Sequence, residues 1–484
     1  MVARSFDPKR GATTMAQAVR REYLPDEQMR LDGKASQATA QFEGVGTLED
    51  RHRQDLAVKH LQELIGANQY HDAGQLIDQL LTENPESIPV QYLLCRLMIE
   101  TDKSAVARPT ALQIVANAPD RAEGWLLLGA IEAALQRPDK ALAPLQRAIS
   151  LKPEWADPYR VLSTAYTMLY QFEDAERAAI KALSYGDHHI PHSALAFVAL
   201  HKRDWAKGWK EYENQMGRVP GRDVLDYGLP TWKGEGTVLV YGEQGLGDQL
   251  AYCSALTDQC TQLVTHPKLA NLIRRSVKAE VHGDQFVKTR DWELTAQHQA
   301  SMSMAMQYQE MKPRGRWLKP HPEKSSQWRA LMYEKAKVKD RPWIGIAWTG
   351  GKVGTHGWKG RNISHEDMKP ILELPANFVS LEYRANQAPN GVHDWPWATQ
   401  TADLDDCAAL VDNCDAVVCV PSTIYHLAGS LGVPCHVIVH DRPHFHEGTS
   451  GPSPWWESVK FYRRSEMSTA ECVALIVKEL ERVL

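Results

Sequence analysis

Three prolines place the tightest constraint on how this chain can fold. Pro85, Pro119 and Pro153 recur every 34 residues, and each follows a helical pattern that ends in polar residues. A period of that length holds one helix–turn–helix unit, which cannot bury its apolar face alone, so neighbouring units must stack. The third unit shows how. Trp125, Leu128, Gly129, Ala141, Leu145, Ala148 and Pro153 occur in the order large, apolar, small, small, large, small and terminating. Tyr159, Leu162, Tyr166, Ala175 and Ala182 repeat the arrangement in the fourth. Small residues let one helix approach the next, and proline ends each pair because it cannot continue the hydrogen-bond ladder.

This is the tetratricopeptide pattern. Weaker units are expected near 54–87 and 88–121 and a fifth near 190–217, which sets the helical domain at 51–217. Residues 1–50 have no sustained periodicity and are expected to form a poorly ordered arm. In the fifth unit Trp205, Trp209 and Tyr212 share one helical face. Their stripe is expected to pack on the following domain rather than to bind a base or a sugar. A superhelix of such units offers a concave surface to peptides or partner proteins and predicts no chemistry.

The segment 218–236, with Pro220, Gly221, Gly228, Pro230, Gly234 and Gly236, reads as a linker in which Trp232 is buried. Beyond it strands and helices alternate. Strands are expected at Val238 to Val240, near 261–265 and near 279–283, with 290–335 left unassigned. A second run starts at Trp343 and continues as helix 365–374, strand 378–381, helix 405–413, strand 416–420, helix 422–431, strand 435–439, strand 459–462 and helix 467–483. Such alternation implies parallel sheets with right-handed crossovers. Two runs imply two Rossmann-like domains, 237–340 and 341–484, with a cleft between them. The expected fold class is therefore α plus α/β.

Chemistry is expected where strands run into glycine-rich turns. Val238-Leu239-Val240 leads into Gly242-Glu243-Gln244-Gly245-Leu246-Gly247-Asp248, the pattern of a strand turning into a helix N-terminus, where free backbone N–H groups gather. Gly245 and Gly247 can take positive φ and admit a ligand close to the backbone, and Asp248 offers a carboxylate as base. A tight turn with Asp248 as a helix cap explains the same residues. The spacing matches neither the G-x-G-x-x-G dinucleotide fingerprint nor a G-K-[ST] phosphate loop, so neither NAD binding nor ATP hydrolysis is indicated. In the second run, Val420-Pro421-Ser422-Thr423 opens a helix of small and apolar residues that ends at Gly432. Its N–H groups and the Ser422 and Thr423 hydroxyls can cradle a diphosphate, with His426 one turn further on. Capping explains Ser422 and Thr423 equally, and a structural role explains His426. The basic loop with Lys352, His356, Lys359 and Arg361 belongs to the same run, and arginine suits bidentate phosphate contact.

Composition removes several classes. A net charge of -5 advertises no broad field for nucleic acid or anionic membrane. Eight cysteines without a C-x-x-C pair fit a reducing, cytoplasmic setting, and no leader-like or membrane-length apolar run is visible. No metal-ligand spacing appears, although His436, His440, His444 and His446 lie close in sequence. Asp403-Leu404-Asp405 precedes a helix start, and capping accounts for it.

Gly242–Asp248, Ile346-Ala347-Trp348-Thr349-Gly350, Arg361-Asn362-Ile363, Val379-Ser380-Leu381-Glu382, the segment 403–410 and Ser422–Gly432 together resemble the tetratricopeptide-containing glycosyltransferases of bacteria and phages. Their catalytic part is similar to the heptosyltransferases. The resemblance spans residues 54–484 and implies a metal-independent GT-B fold. It implies a nucleotide-diphosphate sugar as donor, no other cofactor, Asp248 as base and Arg361 as donor contact. Gly245, Gly247, Lys359, Ser422, Thr423 and His426 complete the expected donor side. Heptosyltransferases carry Asp-Thr where this chain has Pro421-Ser422, which leaves the sugar open. The expected reaction is inverting transfer to a hydroxyl of a larger acceptor: a protein, a glycan or a modified DNA base. Nucleic acid enters only as acceptor, the repeats dock the acceptor, and such arrays are compatible with homo-oligomers. A nucleotide-sugar epimerase and a non-catalytic scaffold are the rival readings.

Overall fold

A computed structural model of the chain describes residues 48–218, 224–283, 291–350, 361–383 and 388–482, with side chains from 55 onward. It divides into two compact units, one through Pro191 and one from His192.

The first unit is a run of antiparallel helix pairs: α1 (Leu48–Gly66) with α2 (Tyr70–Glu83), α3 (Ile88–Glu100) with α4 (Ser104–Asn117), α5 (Ala122–Ala134) with α6 (Pro138–Leu151), and α7 (Ala156–Met168) with α8 (Phe172–Leu183). The period is written into the backbone. Asn68, Asp102, Gln136 and Tyr170 each turn the chain at φ of 59°, and Arg203 does so at 61°. The residue after each closes the preceding helix with a six-residue hydrogen bond: Gln69 to Leu64, Lys103 to Met98, Arg137 to Glu132, Gln171 to Tyr166 and Asp204 to Ala199. Ala141, Leu145, Ala148, Ala175 and Ala182 are fully buried. A Cβ on Gly129 would stand 2.6 Å from Leu145 Cγ, so the third pair packs closely because position 129 has no side chain.

The boundary falls within the first turn of α9 (His189–His201), which pairs with α10 (Trp205–Glu213) and keeps the same turn geometry. Trp209 is fully buried and meets Tyr252 and Phe445 edge-on, each at 5.6 Å, while Trp205 meets Trp455 at 6.3 Å. The aromatic stripe thus packs on the sheet region, and Trp232 is buried as well.

Two parallel sheets follow. The first holds β1 (Val238–Tyr241), β2 (Cys260–Val264), β3 (Glu280–His282) and β4 (His298–Ser301) in the order β3-β2-β1-β4. The second holds β5 (Trp343–Ala347), β6 (Asn377–Ser380), β7 (Val392–His393), β8 (Ala416–Cys419), β9 (Cys435–Val439) and β10 (Val459–Arg463) in the order β10-β9-β8-β5-β6-β7. Helices α11 (Leu246–Ala255), α12 (Pro267–Arg274), α14 (Pro322–Lys335), α15 (His365–Leu372), α17 (Asp405–Asp412), α18 (Thr423–Leu431) and α19 (Thr469–Leu480) connect or cover the strands, with short α13 (Met302–Ala305) and α16 (Pro396–Thr399). The unassigned stretch 290–335 supplies β4, α13 and α14, and two-residue β7 carried no sequence signal.

Both faces of the larger sheet are covered, so its strands are continuous apolar runs. Ile344, Ile346 and Val418 face one core, whereas Ala347, Val417 and Cys419 face a second core shared with Val238, Val240 and Leu263 of the smaller sheet. Strand order reverses direction beside β1 in the first sheet and between β5 and β8 in the second. Ligands of open parallel sheets bind beyond the carboxyl ends of strands at such reversals. Those ends carry Gly242–Asp248, Trp348–Gly350 and Val420–Thr423.

Candidate functional site

Gly242–Asp248 does form the strand-to-helix turn, but its glycines act differently from the expectation. Neither Gly245 nor Gly247 has positive φ; Gly245 is extended at φ -65°, ψ 168° and caps α11. Gly247 is required by close approach instead: a Cβ there would lie 2.8 Å from His426 Cδ2 and 3.5 Å from Thr423 Cα. The N-terminal turns of α11 and α18 therefore touch. Gln249, fully buried, donates to Gln244 O at 2.8 Å and accepts from His266 N at 3.0 Å, fixing the turn against the end of β2. Glu243 accepts from Met302 N and Ser303 N, each at 3.1 Å, and from the Ser303 hydroxyl. Burial pushes its carboxyl up to about 7 against those hydrogen bonds.

Asp248 caps the helix, as the sequence allowed, and also faces an imidazole. Its Oδ2 accepts from Gly245 N at 3.1 Å, which caps the helix. Its Oδ1 lies 2.8 Å from Nε2 of His446, and the side chain keeps 28% exposure. Burial opposes the charge, but the His446 ring, nearby His444 and the Gly245 N–H outweigh it and hold the carboxyl below its usual range.

Across the reversal between β5 and β8, Ser422 caps α18 by accepting from Ile424 N at 3.3 Å, which leaves its O–H as a donor. Thr423 is half-buried at the first helical position. Gly432 ends the helix at φ 71°, the left-handed geometry of a terminating glycine. His426 accepts from Trp456 Nε1 at its Nδ1, 3.2 Å away. Burial and His446 hold the His426 ring well below its ordinary range, so it is neutral with the proton on Nε2. The turn after β5 is tied by Glu382, which accepts from Trp348 N at 2.6 Å, Thr349 N at 2.7 Å and the Thr349 hydroxyl at 2.5 Å. Gly350 N donates to Asn362 at 3.0 Å, and Arg361 Nε approaches His440 Nε2 to 2.9 Å. Lys352, His356 and Lys359 lie outside the described residues.

Sequence reading missed the lining contributed by the stretch after β9. His444, His446 and Glu447 close on Asp248 and α18, with the Tyr425 hydroxyl donating to Glu447 at 2.8 Å and Glu447 accepting from His444 N at 2.9 Å. The signal available was the density of titratable residues at 440–447 right after a strand end. Among the described residues no His, Cys, Asp or Glu side chains form a group able to hold a metal ion. No helix among them is long and apolar enough to cross a membrane.

Residues 64–131, from the end of α1 into α5, match the family model described as tetratricopeptide repeat. The helical unit is a tetratricopeptide array. The chain is also 23% identical over 389 residues to protein FlbA of Caulobacter vibrioides, a match that takes in 71% of this chain and 64% of that protein. It thus spans less than two thirds of the length of this curated relative. Among solved structures, a thermophilic tetratricopeptide protein of Thermus thermophilus is 23% identical over 34% of this chain and 91% of its own, with a TM-score of 0.32. MamA is 17% identical over 35% of this chain and 94% of its own, with a TM-score of 0.26.

Proposed function

We propose that the sheet-bearing unit is a GT-B-type glycosyltransferase of two Rossmann-like halves, which moves a sugar from a nucleotide-diphosphate sugar to a hydroxyl of a larger acceptor. The observation that carries the reading is the meeting of α11 and α18, each starting at a strand-order reversal, with Asp248 on one and Ser422, Thr423 and His426 on the other. One helix start supplies a carboxylate, and the other supplies N–H and O–H donors suited to a diphosphate.

In the proposed reaction the acceptor oxygen bonds to the anomeric carbon as the bond from that carbon to the diphosphate oxygen breaks. The electron pair leaves with the diphosphate, and the hydroxyl proton passes to Asp248. A carboxylate held below its usual range is a weak base toward a free hydroxyl; it takes the proton late, when the forming bond has acidified that oxygen. Arg361, Ser422, Thr423 and the start of α18 stabilise the departing charge, His426 offers Nε2–H, and Lys359 is assigned to the same side. Direct displacement inverts the anomeric centre. The repeats dock the acceptor.

The reading is tested with a panel of nucleoside diphosphates and their sugars in a thermal-shift assay, because a ligand of the native state must raise the melting temperature. One nucleotide should stand out, bind less tightly to R361A, and support turnover that falls by about a hundredfold or more in D248N. The tetratricopeptide match favours a second reading, a non-catalytic scaffold for partner proteins, which a silent panel would leave standing.

A further inference from the structure

We propose that His446 is the positioning residue of this site: it fixes the Asp248 carboxylate and does not itself touch substrate. The inference rests on the glycosyl-transfer reading for its catalytic meaning and on geometry for its substance. The His446 side chain is 3% exposed against 28% for Asp248, so a substrate arriving at the site meets the carboxylate and not the imidazole. Nε2 lies 2.8 Å from Asp248 Oδ1, outside hydrogen-bond alignment, so the ring meets the carboxylate at close range without a formed hydrogen bond. Neither ring nitrogen has a hydrogen-bond partner among the described residues, so no other described group competes for them in this way.

The ring is also clamped. Its centroid lies 4.4 Å from Phe445, 5.1 Å from Trp455, 5.1 Å from His426 and 5.7 Å from Tyr252. With Oδ2 tied to Gly245 N and Oδ1 set against His446, the carboxylate has one defined orientation and keeps lone pairs for an incoming hydroxyl. The titratable groups around this pair are His201 from α9, Tyr252 from α11, Tyr425 and His426 from α18, and His444 and Glu447 from the same stretch, with Arg361 near His444. Glu447 is engaged by the Tyr425 hydroxyl and His444 N, which leaves Asp248 as the carboxylate facing the imidazole. Without the imidazole, burial would drive the Asp248 carboxyl toward its neutral form.

The test uses the full chain labelled with 13C at aspartate carboxyls, with D248N assigning the Asp248 signal. In H446Q the Asp248 midpoint should rise by about one pH unit or more. An Asp248 midpoint that stays put overturns the proposal, and if H446Q does not fold the same titration is read on H446N. Donor turnover is read on the same samples. A wild-type chain inactive on every nucleotide sugar counts against glycosyl transfer, while the titration still decides His446. Where the wild type is active, H446Q should lower kcat with KM little changed and move the acid limb of the pH profile upward. A fall in kcat with an unmoved acid limb overturns the positioning role.

Discussion

The two compact units bury very different chemistry. Among the described residues the repeat unit buries few polar groups, Ser104, Glu132, Ser163 and Thr167, and its close contacts are made by Gly129 and a series of alanines. The sheet unit buries His201, Gln249, Glu382, His426, His436, His440, His446, Glu447 and Arg463 among others. A repeat array gains its stability from nearest neighbours and can present side chains outward. The sheet unit spends hydrogen bonds on fixing carboxylates and imidazoles around two helix starts, and fixed polar groups away from water are what a reacting centre needs. The difference is the one expected if the proposed transfer belongs to the sheet unit.

The largest effect that tests this contrast is expected at Trp209. Removing a fully buried indole in W209A should cost the sheet unit about 3–5 kcal/mol, while the repeat helices keep their own unfolding transition. Denaturant unfolding followed by far-ultraviolet circular dichroism checks it, and loss of both units at one shifted midpoint would break the comparison.

Acid should separate the units next. Burial, aided by Lys460 and Arg361 respectively, holds His436 and His440 down at about 4, below the 6.5 of an exposed imidazole. The unfolded chain therefore takes up protons first as pH falls through 6.5, and stability drops until about pH 4, where the folded rings also protonate. Each should cost on the order of 1–2 kcal/mol by pH 5. Asp248 acts at still lower pH with a like outcome: its depressed carboxyl stabilises the fold above the unfolded value, and that contribution is lost as pH falls through the folded one. Melting curves between pH 7 and 5 should show the sheet unit weakening ahead of the repeats; equal slopes would count against it.

The smallest effect is expected at the repeat surface. Arg177 pairs with Asp174 three residues away, but its side chain is 72% exposed, and water screens such a pair. R177A should leave the melting midpoint of the array unchanged within error. A clear loss there would show that the repeats, too, depend on placed charges.

The repeat unit was legible because its information is local and periodic: prolines 34 residues apart and small residues at fixed offsets specify one helix pair at a time. Most strands were legible for the related reason that a buried parallel strand is a short apolar run ended by a turn. The turns that carry Asp248 and Ser422 could also be placed, since glycine, proline and hydroxyl residues mark helix starts. Their encounter could not. Gly247 against His426, His446 against Asp248 and Glu382 across to Thr349 join positions far apart in the chain, and no spacing rule links them. Even the purpose of Gly247 changed, from backbone freedom to a contact made possible by a missing side chain. Local sequence thus specified the repeat helices, most strands and the two helix starts; which of those starts face each other came only with the assembled fold, because it depends on strand order and core packing summed over the whole unit.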